Sequence, residues 1–491
     1  MYSLGIDIGS SSVKASLLDI ATGRCAASST FPKTEAPINS PRKGWAEQAP
    51  EMWWSFICEC ISELSQRCEM SQVASIGITY QMHGLVAVDK DIKPVRDSII
   101  WCDSRAVEIG EEALQGIGYA KCMEHLLNSP GNFTASKLAW VKRNEPEVYG
   151  RIYKFMLPGD YIVYKLSGEV TTTPTGLSEQ ILWDFKESRR ASFVTDYYGI
   201  DSRLIPDIAP SVGVAARTTA SIKTLFGIPE GTPIAYRAGD QPNNAFSLDV
   251  LEPGEVAATG GTSGVVYGVT DVPKADSRSR VNTFLHVNDQ PDAHRYGVLL
   301  CINGTGILNS WLHRNVAPGM SYAAMDEAAE KAPAGSDGLC VLPFGNGAER
   351  VLGNRNIGAA FAGLDLVRHS TAHLLRAAQE GIAYSFRYGI DVMRDMGLDL
   401  KVIRAGKANL FLSPLFRDTL ATLCGADIQL YDTDGSLGAA RGGALGAGFY
   451  SSSAEAFANL ALVGQASPRN EWKEALDGSY EAWKQLLDKT L

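Results

Sequence analysis

The chain has no uncharged apolar run long enough to cross a bilayer; residues 442–454 are uncharged but rich in Gly and Ser. It has no excess of basic residues. Lys and Arg total 45 against 55 Asp and Glu, a net charge of -10, which argues against nucleic acid or an anionic membrane as partner. It has no CxxC pair, and its nine cysteines (25, 58, 60, 68, 102, 122, 301, 340 and 424) are scattered and odd in number. That pattern fits reduced thiols in a cytoplasmic protein rather than a disulfide frame or a zinc site. No basic segment followed by an apolar core opens the chain, so no secretory leader is expected. GxxxxGK[ST], GxGxxG and GxSxG are all missing, so a nucleotide enzyme of this sequence must use neither a P-loop nor a dinucleotide fingerprint, and a hydrolase elbow is excluded.

What remains is a 491-residue chain with 45% hydrophobic residues, enough for two or more globular domains. Short apolar runs alternate with longer helical periodicities, which indicates an α/β architecture. Residues 50–67 place Met52, Phe56, Ile57, Cys60, Ile61 and Leu64 along one side of a helix. Residues 73–79, 233–237 and 428–431 read as strands. Leu374, Ala378, Ile382 and Phe386 recur every four residues and predict a helix over 371–393. Ser413-Pro414 reads as an N-cap followed by proline at the first helical position, with Gly425 as the stop. There is one internal echo. The opening 2–19 and the segment 255–270 both run apolar strand, Gly/Ser/Thr turn, apolar strand. A duplicated fold follows, with one phosphate-binding turn from each half. We expect an N-terminal domain over 1–248, a C-terminal domain over 249–455 and a helical tail over 456–491.

Four polar or Gly-rich loops follow expected strands, where open α/β sheets bind ligands. The first is Asp7 followed by Gly9, Ser10, Ser11 and Ser12, with Lys14 close by. Its backbone N–H groups, hydroxyls and ammonium suit phosphate oxygens, and Asp7 suits Mg²⁺. The second is Gln81-Met82-His83-Gly84, an amide, a thioether and an imidazole that together suit a polyol. The third is Gly239-Asp240-Gln241, where one carboxylate can accept the proton of an attacking hydroxyl. The fourth is 405–409. Gly261, Thr262 and Ser263 form a second candidate phosphate turn, and Trp101 and Asp103 lie in a stretch of the same mixed character as the sugar loop. Each has a plainer alternative: a hairpin turn, a helix cap, a hydrogen-bonding core histidine, or a buried Trp beside an Asp/Arg pair.

These motifs, in this order over roughly residues 1–450, resemble the FGGY family of carbohydrate kinases within the sugar kinase, Hsp70 and actin superfamily. DIGSSSVK resembles its first phosphate motif and GGTSG its second. GDQ lies where the family carries its catalytic Asp, and 358–380 and 435–448 resemble its C-terminal segments. QMHG is similar to the sugar loop of the branch that phosphorylates D-xylulose.

The resemblance implies two actin-like (ribonuclease H-like) α/β domains around a cleft, with ATP and Mg²⁺ required and a small sugar as the other partner; a homodimer is compatible with it. It implies Asp240 as base, with Gln81, Met82, His83, Trp101, Asp103 and Gln241 on the sugar. Gly9, Ser10, Ser11, Ser12, Lys14, Gly261, Thr262, Ser263, Gly406, Lys407, Asn409 and Gly438 would hold ATP, and Asp7 would hold Mg²⁺ through water. The chain departs from the family where RAGDQP replaces GGGDNAAG, where RAGKAN replaces GGGAKS, at Ser10 (commonly Thr), and at Gln379 on an apolar face. Another ketose or polyol is the alternative substrate, and an actin- or Hsp70-like ATPase without a sugar is the distant one.

Overall fold

The computed structural model describes all 491 residues. The first sheet is built from β1 (Tyr2–Ile8), β2 (Val13–Asp19), β3 (Arg24–Phe31), β4 (Val73–Tyr80), β5 (Val212–Arg217) and β6 (Pro233–Gly239), in the order β5-β6-β4-β1-β2-β3. The second is built from β7 (Glu255–Gly260), β8 (Gly264–Thr270), β9 (Asn282–Leu285), β10 (Tyr296–Ile302), β11 (Val402–Gly406), β12 (Asp427–Tyr431) and β13 (Leu462–Ala466), in the order β9-β10-β8-β7-β11-β12-β13.

The two sheets repeat one plan. β1 pairs antiparallel with β2 and parallel with β4, and β4 runs parallel to β6. In the second half β7 pairs antiparallel with β8 and parallel with β11, and β11 runs parallel to β12. Even the outer antiparallel strands correspond, β5 on β6 and β13 on β12. The echo between the two hairpins therefore extends to whole sheets, the two-domain arrangement of actin-like folds. The tail past residue 455 is not helical throughout, because it supplies β13 as well as a long helix.

Helices fill the faces of the sheets. In α1 (Pro50–Ser65), Trp53, Ile57, Cys60, Ile61 and Leu64 are buried, and the helix packs on β2 and β3. Next come α2 (Pro174–Glu179), α3 (Asp240–Ser247), α4 (Gly306–Asn315) and α5 (Thr371–Asp395). α6 (Pro414–Cys424) starts as expected, the Ser413 hydroxyl accepting from the Phe416 N–H at 3.1 Å, and it ends at Gly425 with φ of 67°. Two more that matter here are α7 (Gly435–Gly446) and α8 (Asn470–Thr490).

Helix α7 is encoded at the end of the second half but lies on the first sheet, across β1, β4 and β6. Its small residues permit main-chain contact. A Cβ on Gly5 would sit 1.8 Å from the Ser436 carbonyl oxygen, and one on Gly77 would sit 1.8 Å from that of Ala439. Helix α3 makes the reciprocal crossing. It follows the last strand of the first half, and its Ala245 joins Ala257, Tyr267 and Val269 of the second sheet in one cluster. The halves are thus interlocked by a helix from each. Between β4 and β5 the chain also builds a second core of its own, which runs from Met82 to Ile205 and reaches Phe284 of the second domain. All nine cysteines are free, and no helix is long and apolar enough to cross a membrane.

Candidate active site

Strands β6, β4 and β1 are neighbours, so the loops that leave their carboxyl ends meet. The Gln81 N–H donates to the Ile8 carbonyl at 2.8 Å, and a Cβ on Gly239 would lie 2.6 Å from Met82 Cγ. Glycine at 239 is what lets the sugar loop rest against the strand that presents Asp240. Asp240 opens α3. Burial raises its carboxyl to about 6, against the opposing pull of the Gln241 backbone and side chain. Pro242 falls in the first turn of α3, where a missing N–H costs no helical hydrogen bond.

His83 is held in a left-handed conformation, φ 62°. Its N–H donates to Glu179 Oε2 at 3.1 Å, and its Nδ1 lies 2.9 Å from the Glu179 carbonyl oxygen. A carbonyl only accepts, so Nδ1 carries the proton and Nε2 is left as an acceptor for a hydroxyl. Burial, then the charges of Lys137 and Arg350, push the His83 pKa down to about 3, so the ring is neutral. Phe133 and Phe284 flank the ring at 4.7 and 5.5 Å between centroids. Lys137 donates to the carbonyls of His83 and Ile100, both at 2.9 Å. Glu179 was not anticipated. It lies at the end of α2, far from the motifs in sequence, and Tyr80 donates to its Oε1 at 2.7 Å. Burial drives its carboxyl well above the usual range, with Asp240 and Asp160 adding to the shift.

Gln81 is buried, donates to Gln48 at 3.1 Å and leaves Oε1 without a protein partner. Trp101 is half exposed, and its indole N–H reaches Ser10 Oγ at 3.4 Å, so it forms a rim between the sugar loop and the first phosphate turn. Asp103 needs correcting. It is 1% exposed, and both its oxygens are occupied by the Ala46 N–H at 2.6 Å and by Arg105 at 2.7–3.0 Å. The carboxylate holds the frame under Trp45, over which Arg105 lies at 3.8 Å, and has nothing left for a sugar.

The Gly9 to Ser12 turn closes the β1–β2 hairpin, with the Gly9 N–H donating to Ser12 O at 3.0 Å. The hairpin and the phosphate readings of this segment are therefore compatible. Lys14 is already engaged, 2.7 Å from Asp434, whose other oxygen accepts from Leu437 N–H at the start of α7. Its reach toward phosphate is limited by that pair. Asp7 abuts Gly435 at the first turn of α7, and its carboxyl is raised to about 7 by burial, then by Asp240 and Asp434, against the pull of Lys14. A cation beside Asp7 would relieve this crowding of acids. No group of three or more His, Cys, Asp or Glu side chains that could hold a metal ion is present.

Gly260 to Gly264 is the corresponding turn between β7 and β8. It is pinned by α4, since the Gly306 N–H donates to Gly261 O at 3.0 Å and the Ile307 N–H to Thr262 O at 3.2 Å. Beside it opens a cavity of about 730 Å³ lined by Gly261, Thr262, Asn309, Tyr322, Asp326 and Asn409, among others. Ser263, Gly406 and Lys407 are not part of its wall. Gly438 needs correcting too. It is buried where α7 crosses α3, with the position of a Cβ 2.5 Å from Ser247 Cβ, so close packing explains it. The α4 and Tyr322–Asp326 walls were not anticipated. One clue was visible: Gln379, the polar residue on an apolar face, donates to Asp326 at 2.6 Å and accepts from Ser413 at 2.9 Å, both on the cavity wall. A separate cavity of about 400 Å³, between Trp183 and Tyr296, touches none of the strand-end loops.

Comparison with known proteins was consistent in both halves. Residues 2–247 match the N-terminal domain and residues 256–449 the C-terminal domain of the FGGY family of carbohydrate kinases. A xylulose kinase of Lactococcus lactis is 30% identical over 403 residues, 80% of this chain and 77% of that protein. The crystal structure of a xylulose kinase from Rhodospirillum rubrum superposes with a TM-score of 0.89 at 25% identity, covering 100% of this chain and 99% of that one. A gluconate kinase structure from Lactobacillus acidophilus shares the fold, with a TM-score of 0.89 at 22% identity over 99% of this chain and 98% of that one.

Proposed function

The chain belongs to the FGGY family of carbohydrate kinases, and we propose that it transfers the γ-phosphoryl group of ATP to the terminal hydroxyl of D-xylulose. The observation that supports the sugar reading is that the apolar Met82 rests against Gly239, next to Asp240, with the neutral imidazole acceptor of His83 one residue further along the same loop. The xylulose kinases among its relatives support the same substrate.

In this reading Asp240 takes the proton from the sugar hydroxyl as its oxygen bonds to the γ-phosphorus and the bond to the ADP oxygen breaks. Gln241 and the start of α3 hold the carboxylate in place. The Ser10 to Ser12 and Gly261 to Thr262 turns offer N–H and O–H donors to the phosphate oxygens from opposite domains, and the base lies in the cavity next to Asn409. Mg²⁺ would neutralise charge on the β- and γ-phosphates, and Asp7 would hold it, mainly through water. Hinge closure would bring the two turns together and exclude water.

The test is ADP release from Mg-ATP with and without D-xylulose, alongside D-ribulose, L-ribulose, glycerol and gluconate. Strong release with D-xylulose supports the reading. A better response to another acceptor replaces the sugar and keeps the kinase, and release indifferent to every acceptor favours an actin-like ATPase. A finer probe is His83→Ala. Losing the acceptor and its aromatic packing is expected to raise the sugar KM about 10–100-fold, worth roughly 1.4–2.8 kcal/mol, with the ATP KM moving less than about 3-fold. Equal changes in both constants would make His83 a scaffold residue.

A further inference from the structure

Glu349 and Arg350 are adjacent residues that serve opposite sides of the cleft. Glu349 is fully buried and accepts from the N–H groups of Asn303 and Gly304 at 2.9–3.1 Å. Those residues lead directly into Thr305 and Gly306, which bond to the carbonyls of Thr262 and Gly261. The Glu349 carboxylate therefore anchors the loop that shapes the second phosphate turn. Arg350 also reaches the first domain. Its guanidinium lies 5.9 Å from the Phe133 ring centre, and that ring packs edge-on against His83.

The guanidinium of Arg350 has no carboxylate and no hydrogen-bond acceptor within the protein, although its surroundings depress its pKa by burial. Other enclosed arginines are paired: Arg237 with Asp160 at 3.1 Å, Arg376 with Glu380 at 2.8 Å, and Arg105 with Asp103 at 2.7 Å. The Arg350 side chain is partly covered and has no anion of the protein to pair with. Five N–H donors facing a polyol pocket have an obvious use, as they can bind the oxygens of an acceptor.

We propose that Arg350 is an acceptor-binding residue supplied by the second domain, and that through Glu349 it ties occupation of the sugar pocket to the shape of the nucleotide's phosphate turn. The proposal rests on the sugar-kinase reading of the cleft and deepens it. The sugar then bridges the two domains, with Asp240 and His83 on one side and Arg350 on the other. Binding of sugar draws the 346–355 segment toward the first domain, and the Glu349 clamp carries that displacement to Gly261 and Thr262. By linkage, sugar must then tighten nucleotide binding by the same factor that nucleotide tightens sugar binding.

The experiment is calorimetric binding of a non-hydrolysable Mg-ATP analogue and of D-xylulose, each alone and in the presence of the other, for the wild type, R350M, R350K and E349Q, with melting curves for each. In the wild type, sugar should tighten nucleotide binding by about 5-fold or more, the lower end of typical coupling. In R350M the sugar should bind about 10-fold more weakly or worse and the coupling should shrink below about 2-fold, and R350K should recover part of both. E349Q should weaken the coupling while sugar binding in the absence of nucleotide changes less. R350M should melt at or above the wild-type temperature, because it removes an uncompensated charge. Wild-type sugar affinity in R350M would overturn the proposal, as would a lowered melting temperature accompanied by equal losses for both ligands. If D-xylulose does not bind the wild type, the substrate reading has failed, and the same comparison is made with whichever acceptor of the panel supports turnover.

Discussion

Asp240→Asn should lower kcat by about 10²–10⁴-fold, the range expected for losing a positioned base, while the KM for Mg-ATP stays within a few-fold. Asparagine keeps the shape but cannot accept a proton, so the loss belongs to the chemical step. The wild-type pH profile carries the same signature. The Asp240 carboxyl sits near 6 and that of Asp7 near 7, so turnover should fall as pH drops through this window and both carboxylates protonate. Stability should move the opposite way. Each of these groups holds its proton more tightly in the folded state than in the unfolded chain. The stability each contributes is therefore present below the ordinary carboxylate range and is lost as pH rises through about 6 and 7. Asp240→Asn should thus melt a few degrees above the wild type at about pH 8, with the gap closing toward about pH 4. A variant with near-wild-type turnover would remove Asp240 from the chemistry. A variant that is inactive and melts lower under the same alkaline conditions would mean that the carboxylate holds the fold instead.

The sequence carried the features of this molecule that are local. A strand, a Gly/Ser turn and a second strand can be read within twenty residues, which is why both phosphate turns, the GDQ corner and the Ser413-Pro414 helix start were legible. The parts that were not legible depend on partners distant in sequence. Lys14 reads as a phosphate ligand until Asp434, 420 residues later, takes its ammonium. Asp103 reads as a cleft acid until Arg105 and the Ala46 N–H fill it. The roles of Glu179, Glu349 and Arg350 come from what the fold places opposite them, which no local pattern around them encodes. The departures from the family pattern are a middle case. Gln379 could be seen to break an apolar face, and such a break points to a polar site on the other side, but only the folded chain shows Asp326 and Ser413 there.

Gly77→Ala should be among the more damaging single methyls in the chain, and its effect should have the opposite sign from the same change at Gly478. Alanine suits a helix interior better than glycine, and the Gly478 site in α8 has nothing within 4 Å of an added Cβ. There the substitution should stabilise by roughly 0.5–1 kcal/mol. In β4 the methyl added at Gly77 would be aimed at main chain, 1.8 Å from the Ala439 oxygen and 2.6 Å from its carbonyl carbon. No rotamer relieves a clash with backbone, so α7 must lift or β4 must bend. Overpacking of this kind costs about 1–3 kcal/mol and occasionally more. The upper end is expected here, because Ser3 and Ser16 also bond this helix, at 2.6 Å to the Ala440 carbonyl and 2.7 Å to Ser436, and would be strained together. The damage should reach the chemistry. Helix α7 begins at the Asp434 cap that holds Lys14 and at Gly435, against which Asp7 rests. Lifting it moves the acid proposed to position Mg²⁺, so the folded fraction of Gly77→Ala should show a raised KM for Mg-ATP with the sugar KM less affected. Thermal melts and steady-state kinetics on Gly77→Ala and Gly478→Ala together decide the matter. If both variants melt with the wild type, the contact between helix and sheet is soft and the glycines of β1, β4 and α7 are not required for it. Opposite shifts would establish that close approach of α7 to the first sheet is what those glycines provide, and that the interlocked helix fixes the nucleotide side of the cleft from the far end of the chain.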